Sequence, residues 1–146
     1  KALEEMFEED ISVLSDKAMI VPNGSKISID SIRVPADAMI GNDCRLVGNI
    51  RAGSLFMGNG TTLYGSIRTL EDISIGKDNV IHGNIVSRGK VHIEEGSHIL
   101  GEINAQSITI HENARVDGVM RAAEGIVFKR EEQEVINERE LMELDV

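Results

Sequence analysis

SIGKDNVIHGNI (74–85) and HIEEGSHILGEI (92–103) are two copies of one pattern, 18 residues apart. In each, an aliphatic residue opens a nine-residue block, a glycine closes it, and x-Ile follows. Outward from this pair the block recurs as IGNDCRLVG (40–48), MGNGTTLYG (57–65) and IHENARVDG (110–118), five times in all with IGKDNVIHG (75–83) and IEEGSHILG (93–101). The closing residues Gly48, Gly65, Gly83, Gly101 and Gly118 fall 17, 18, 18 and 17 positions apart. Ile50, Ile67, Ile85 and Ile103 follow the first four, and Met120 the fifth. Two positions before each block stands Ala38, Leu55, Ile73, Val91 or Ile108. That alternation marks strands with one buried face. VPNGSKISI (21–29) is a degenerate further copy, with Val21 and Ile27 in the apolar places.

Each column of the repeat has a physical reason. The fourth block position holds Asp43, Gly60, Asp78, Gly96 and Asn113, residue types that tolerate positive φ, so a tight corner is expected there. The fifth holds Cys44, Thr61, Asn79, Ser97 and Ala114, small enough to pack inside a corner. The seventh, Leu46, Leu63, Ile81, Ile99 and Val116, is expected to point inward, and Arg45, Thr62, Val80, His98 and Arg115 outward. The closing glycine is expected to allow a second bend. One such unit cannot bury its own apolar face, but stacked units can. The expectation is an all-β fold: a single-domain parallel β-helix (β-solenoid) of about six coils of 17–18 residues, spanning 19–125 and roughly 29 Å long. A β-sandwich of short strands would not need the same residue class at the same column of every copy.

Outside the repeat the composition changes. The 146 residues include 14 Gly, all between Gly24 and Gly125, no Trp and only four aromatics, so the core must be aliphatic. Net charge is −10, of which 1–18 carry −4 and 124–146 carry −5. This balance opposes nucleic-acid binding, which needs clustered cations and stacking aromatics. Residues 1–18 form an acidic N-terminal flank, in which ALEEMFEED (2–10) reads as a short amphipathic helix and ISVLS (11–15) as a strand or link. Residues 126–146 read as a C-terminal amphipathic helix with Val135, Ile136, Leu141 and Met142 on one side. The flanks either cover the solenoid ends or recruit a partner, and covering is the favoured role for the C-terminal helix. Neither flank is basic, so membrane contact by this segment is not expected. Cys44 has no partner for an internal disulfide, and no secretory segment or long apolar run appears, so a cytoplasmic protein is expected. The chain begins at Lys1, before which initiator Met is seldom trimmed, so a shortened chain is expected.

Three functions suit such a chain. IGNDCR and IGKDNV fit the hexapeptide pattern of left-handed acyltransferases, but that pattern should hold on all three sides of each coil, and Ile50 breaks it. A zinc site of the γ-carbonic-anhydrase kind needs converging histidines, whereas His82, His92, His98 and His111 fall in four columns and read as surface residues. Asp43 and Asp78 lie two coils apart and make no calcium ladder, and no glycine run has a phosphate-loop Lys-Ser/Thr behind it. No catalytic, cofactor or metal residues are assigned. The third reading needs none: a solenoid's ends expose unpaired strand edges that template another subunit.

The five-fold aliphatic-G-x-x-small-x-aliphatic-x-G-x-Ile register, over about residues 38–120, resembles the bactofilins. The resemblance implies a right-handed triangular β-helix and a scaffold that polymerises end to end without nucleotide and positions other scaffold or client proteins. In that family an A-x-F-x-G stretch near the last coil carries a Phe that supports the end contact; here ARVDG (114–118) has Val116. A capped, non-polymerising relative that acts as a docking module is therefore the alternative within the family, and a hexapeptide-type acyltransferase the alternative outside it. Exposed-end logic assigns self-assembly to Val21, Ile27 and Ile29 in the first coil and Val116, Met120, Ile126 and Phe128 in the last.

Overall fold

The computed structural model describes residues 18–130. The expected helices of the two flanks lie outside the described residues, apart from 126–130.

The chain winds through about six coils. The first holds β1 (Ala18–Val21) and the long β2 (Lys26–Arg33), the second β3 (Asp37–Ile40) and the long β4 (Arg45–Ala52). The third has one strand per side: β5 (Ser54–Met57), β6 (Thr62–Tyr64) and β7 (Ile67–Thr69). The fourth repeats it with β8 (Ile73–Ile75), β9 (Val80–Ile81) and β10 (Ile85–Ser87). The fifth holds β11 (Lys90–Ile93), β12 (His98–Ile99) and β13 (Ile103–Ala105). The sixth holds β14 (Ser107–His111), β15 (Arg115–Val116) and β16 (Met120–Ala122), and β17 (Ile126–Lys129) starts another turn.

Every pairing is between a strand and its copy one coil away, and all are parallel. The first side is a seven-stranded sheet, β1-β3-β5-β8-β11-β14-β17. The other two sides form one ten-stranded sheet because β2 and β4 run around the corner between them. The inward columns fill the interior as ladders. Leu63, Ile81, Ile85, Ile93, Ile99 and Ile103 are fully buried.

The corners explain the rest of the repeat. Asp43 and Asp78 adopt φ of 55° and 56°, and Gly24, Gly60 and Gly96 take the same left-handed turn in their coils. Asn113 does not. Its N–H instead donates to Nδ1 of His111 at 3.0 Å, and the last corner closes around that ring. His111 is consequently 5% exposed and not the surface residue expected. The small inward column is a hydrogen-bonded ladder. Thr61 N–H donates to Asn79 Oδ1 (2.7 Å) and Asn79 N–H to Ser97 Oγ (3.1 Å), while Asn79 Nδ2 donates back to the Gly58 carbonyl (2.6 Å). Cys44 is buried at its N-terminal end, and Ala114 has no polar group to extend it.

Of the closing glycines only Gly48 has a positive φ, 136°, and the later ones owe their place to crowding rather than to bending. A Cβ on Gly65, Gly83 or Gly118 would overlap the carbonyl oxygen of the closing glycine one coil back. The alternation of 17 and 18 residues resides at the corner leading back to the first side. Thr69-Leu70-Glu71-Asp72-Ile73 turns there with one residue more than Ala52-Gly53-Ser54-Leu55. The longer turn aims the Glu71 carbonyl inward, where Thr69 Oγ1 (2.5 Å) and Ser87 Oγ (2.6 Å) both reach it.

Two boundaries move. Ile126–Lys129, placed in the C-terminal helix by the sequence, is a strand paired with β14, because Ile126 and Phe128 continue the inward period of two. Ala18, counted with the N-terminal flank, belongs to β1.

Candidate functional site

The ends of the rod are where a ladder runs out of partners. Among the described residues the last rung of the aliphatic inward columns is Val116, Met120, Ile126 and Phe128, stacked on Ile99, Ile103, Ile108 and Ile110. The supporting rung is 0–2% exposed, whereas Val116, Met120 and Ile126 are half-buried and Phe128 is 63% exposed. The sequence-assigned residues of this end therefore come together, one or two from each side of the triangle, as an apolar end surface. Val127, beside Phe128, points outward on the side of the rod and is 60% exposed.

The first coil differs. Val21 is 2% exposed, so it belongs to the core and is not the contact residue expected from its place in the first rung. Met19 (8%) and Ile32 (7%) are buried with it. Ile27 alone is half-buried. Ile29 lies in β2 within the register shift between Ser28 and Ser31, and its side chain is outside what is described.

Polar groups brace the C-terminal coils. His98 Nε2 lies 3.0 Å from Asp117 Oδ2, and Arg115 Nε donates to Asp117 Oδ1 at 2.8 Å. The hydrogen bond from His98, then that from Arg115 and the nearby charges, hold the Asp117 carboxyl below its ordinary value. For Glu94 partial burial pushes upward, but the His92 hydrogen bond and the charges of His92, Lys129 and His111 outweigh it, and the net shift is downward. Lys129 Nζ stands 3.9 Å from Glu94, which ties β17 to the fifth coil. The remaining histidine, His82, stacks on Tyr64 at 4.5 Å. Each histidine thus serves its own neighbour, and among the described residues no three His, Cys, Asp or Glu side chains could hold a metal ion. Among the same residues no helix is long and apolar enough to cross a membrane.

Residues 27–121, about two thirds of the chain, match the family model described as Bactofilin, polymer-forming cytoskeletal. The chain belongs to the bactofilins. No curated protein and no solved structure matches it. The matched span covers most of the six coils but stops before β17. In this bactofilin the exposed aromatic of the C-terminal end is therefore supplied from outside the matched span, by Phe128, in the coil after the one that carries Val116.

Proposed function

We propose that this bactofilin is a scaffold that assembles end to end through the termini of its β-helix, without nucleotide and without a catalytic step. The observation that carries the proposal is the open C-terminal rung. An apolar triangle with Phe128 at 63% exposure continues a core whose previous rung is sealed. Two such ends facing each other make a closed, self-complementary contact, because the same patch meets its own copy. Phe128 takes the role that the family resemblance gives to an aromatic at position 116. Growth beyond a pair then uses the N-terminal end, where β1 and β2 are edge strands among the described residues and Ile27 is the half-buried apolar residue. The cytoplasm is the proposed location, with other scaffold or client proteins arrayed along the polymer. Each filament would then present the outward columns of every copy as a repeating surface.

Light scattering and negative-stain microscopy of the purified chain test this, with and without added ATP or GTP. The expected result is rods or filaments whose length rises with protein concentration and ignores nucleotide. A monodisperse monomer at every concentration would contradict it. A stable trimer would contradict it too, and would point to the acyltransferase architecture.

A further inference from the structure

The outward column of the third side begins Arg33–Arg51–Arg68, three arginines in register on β2, β4 and β7. Adjacent guanidinium stems are one strand spacing apart, about 4.8 Å. All three are exposed. Arg121, farther along the same column, lies 3.8 Å from Glu102, but no ion pair involves Arg33, Arg51 or Arg68 among the described residues. An uncompensated row of like charges is unusual in a chain of net charge −10. The same three residues line a groove whose apolar wall is formed by Pro35, Val34 and Leu70, and Leu70 is 63% exposed. A ligand for this groove carries several carboxylates or phosphates next to apolar groups, since guanidinium forks pair with such oxyanions two bonds at a time.

We infer that the occupant is the chain's own N-terminal segment, residues 2–10. ALEEMFEED offers five carboxylates interleaved with Leu3, Met6 and Phe7, which matches both walls of the groove. Its tether favours it. Asp10 is eight residues from Ala18, a reach of up to about 26 Å, and Ala18 opens the same coil that carries Arg33. Attachment of this kind raises the local concentration of the segment far above that of a free competitor. The inference is independent of end-to-end assembly, because the groove lies on a side of the rod and not at its end.

Arginine-specific labelling of the full chain with phenylglyoxal, read by mass spectrometry, tests the inference. Arg33, Arg51 and Arg68 should react at least about fivefold more slowly than Arg88, which is exposed at the next corner. The protection should vanish at about 0.5 M salt, because exposed ion pairs are screened there, and in a variant with Glu4→Gln, Glu5→Gln, Glu8→Gln, Glu9→Gln and Asp10→Asn. Equal reactivity of the three arginines in the original chain and that variant would overturn the inference. So would protection that appears only when vesicles rich in anionic phospholipid are added, which would make a lipid surface the occupant instead. Circular dichroism of the variant should be unchanged in the strand region, because the substitutions lie outside the sequence repeat.

Discussion

At the C-terminal end Val116, Met120 and Ile126 are half-buried and Phe128 is 63% exposed, while at the N-terminal end Met19, Val21 and Ile32 are 8%, 2% and 7% exposed. Met19, Val21 and Ile32 share their inward columns with Ile126, Phe128 and Met120 and differ from them only in which rung they occupy, whereas Ile27, in the column of Val116, is half-buried as Val116 is. A column position says that a side chain is apolar and points inward. It does not say whether another rung lies above it. In a stacked fold the same leucine-like residue is core in one coil and exposed in the last, so the apolar end surface on which the proposed assembly draws arises from where the stacking stops.

The largest effects should separate the two ends. Val21→Arg places a charge where only 2% of the residue meets solvent, and should cost at least about 3 kcal/mol of stability. Thermal denaturation followed by circular dichroism would read this as a lowered midpoint, with assembly lost only because folded protein is lost. Phe128→Arg should change stability by no more than about 0.5 kcal/mol, as for other exposed substitutions, yet reduce the scattering mass. If Val21→Arg melts like the parent chain, the first coil is open after all and the two ends do not differ.

Within the body, where both ends are far away, crowding should outweigh conformation. Gly65→Ala puts a methyl group against the Gly48 carbonyl and should cost up to about 3 kcal/mol, the range for overpacked sites. A Cβ on Gly24 would meet nothing within 4 Å, and the left-handed φ of 72° there suits Asn as it suits Asp43. Gly24→Asn should therefore cost under about 1 kcal/mol. Urea titration of the two variants would distinguish them, and equal losses would show that glycine is needed for bending rather than for close approach. Asn79→Ala should rank between the two. It strands the buried Thr61 N–H and removes the donor to the part-buried Gly58 carbonyl, at about 2 kcal/mol.

The smallest effect is expected from acid. Asp117 and Glu94 both have carboxyl groups held below their ordinary values, and both brace the C-terminal coils. A carboxylate whose folded pKa is depressed stabilises above its unfolded value and loses that contribution as pH falls through the folded one. The C-terminal coils should thus loosen first below about pH 4, near the ordinary carboxylate value. Hydrogen exchange at β12, β15 and β17 should quicken before exchange at β3 and β5. Simultaneous loosening of both halves would remove this distinction between them.

The coils and their registers are legible in the sequence because stacking imposes one residue class per column. Leu46, Leu63, Ile81 and Ile99 are fully buried in register, as their spacing requires. Position 113 departs from its column because Asn is permitted in a left-handed corner without being committed to it, and His111 offers another partner. The burial of Val21 is not legible, because a periodic pattern carries no information about its own boundary. The strand at Ile126–Lys129 is hidden among helix-forming neighbours, although Ile126 and Phe128 keep the period of two. The buried hydroxyls of Thr69 and Ser87 leave a faint signal, since they stand where Ala52 and Ala105 stand in the shorter coils.

The most direct test of the open C-terminal end is the particle length of three chains side by side in negative-stain micrographs at one concentration: the original, Ile27→Arg and Phe128→Arg. An open end predicts filaments for the original, shortened particles for Ile27→Arg, and nothing longer than a pair of rods for Phe128→Arg. Filaments of Phe128→Arg as long as those of the original would contradict it.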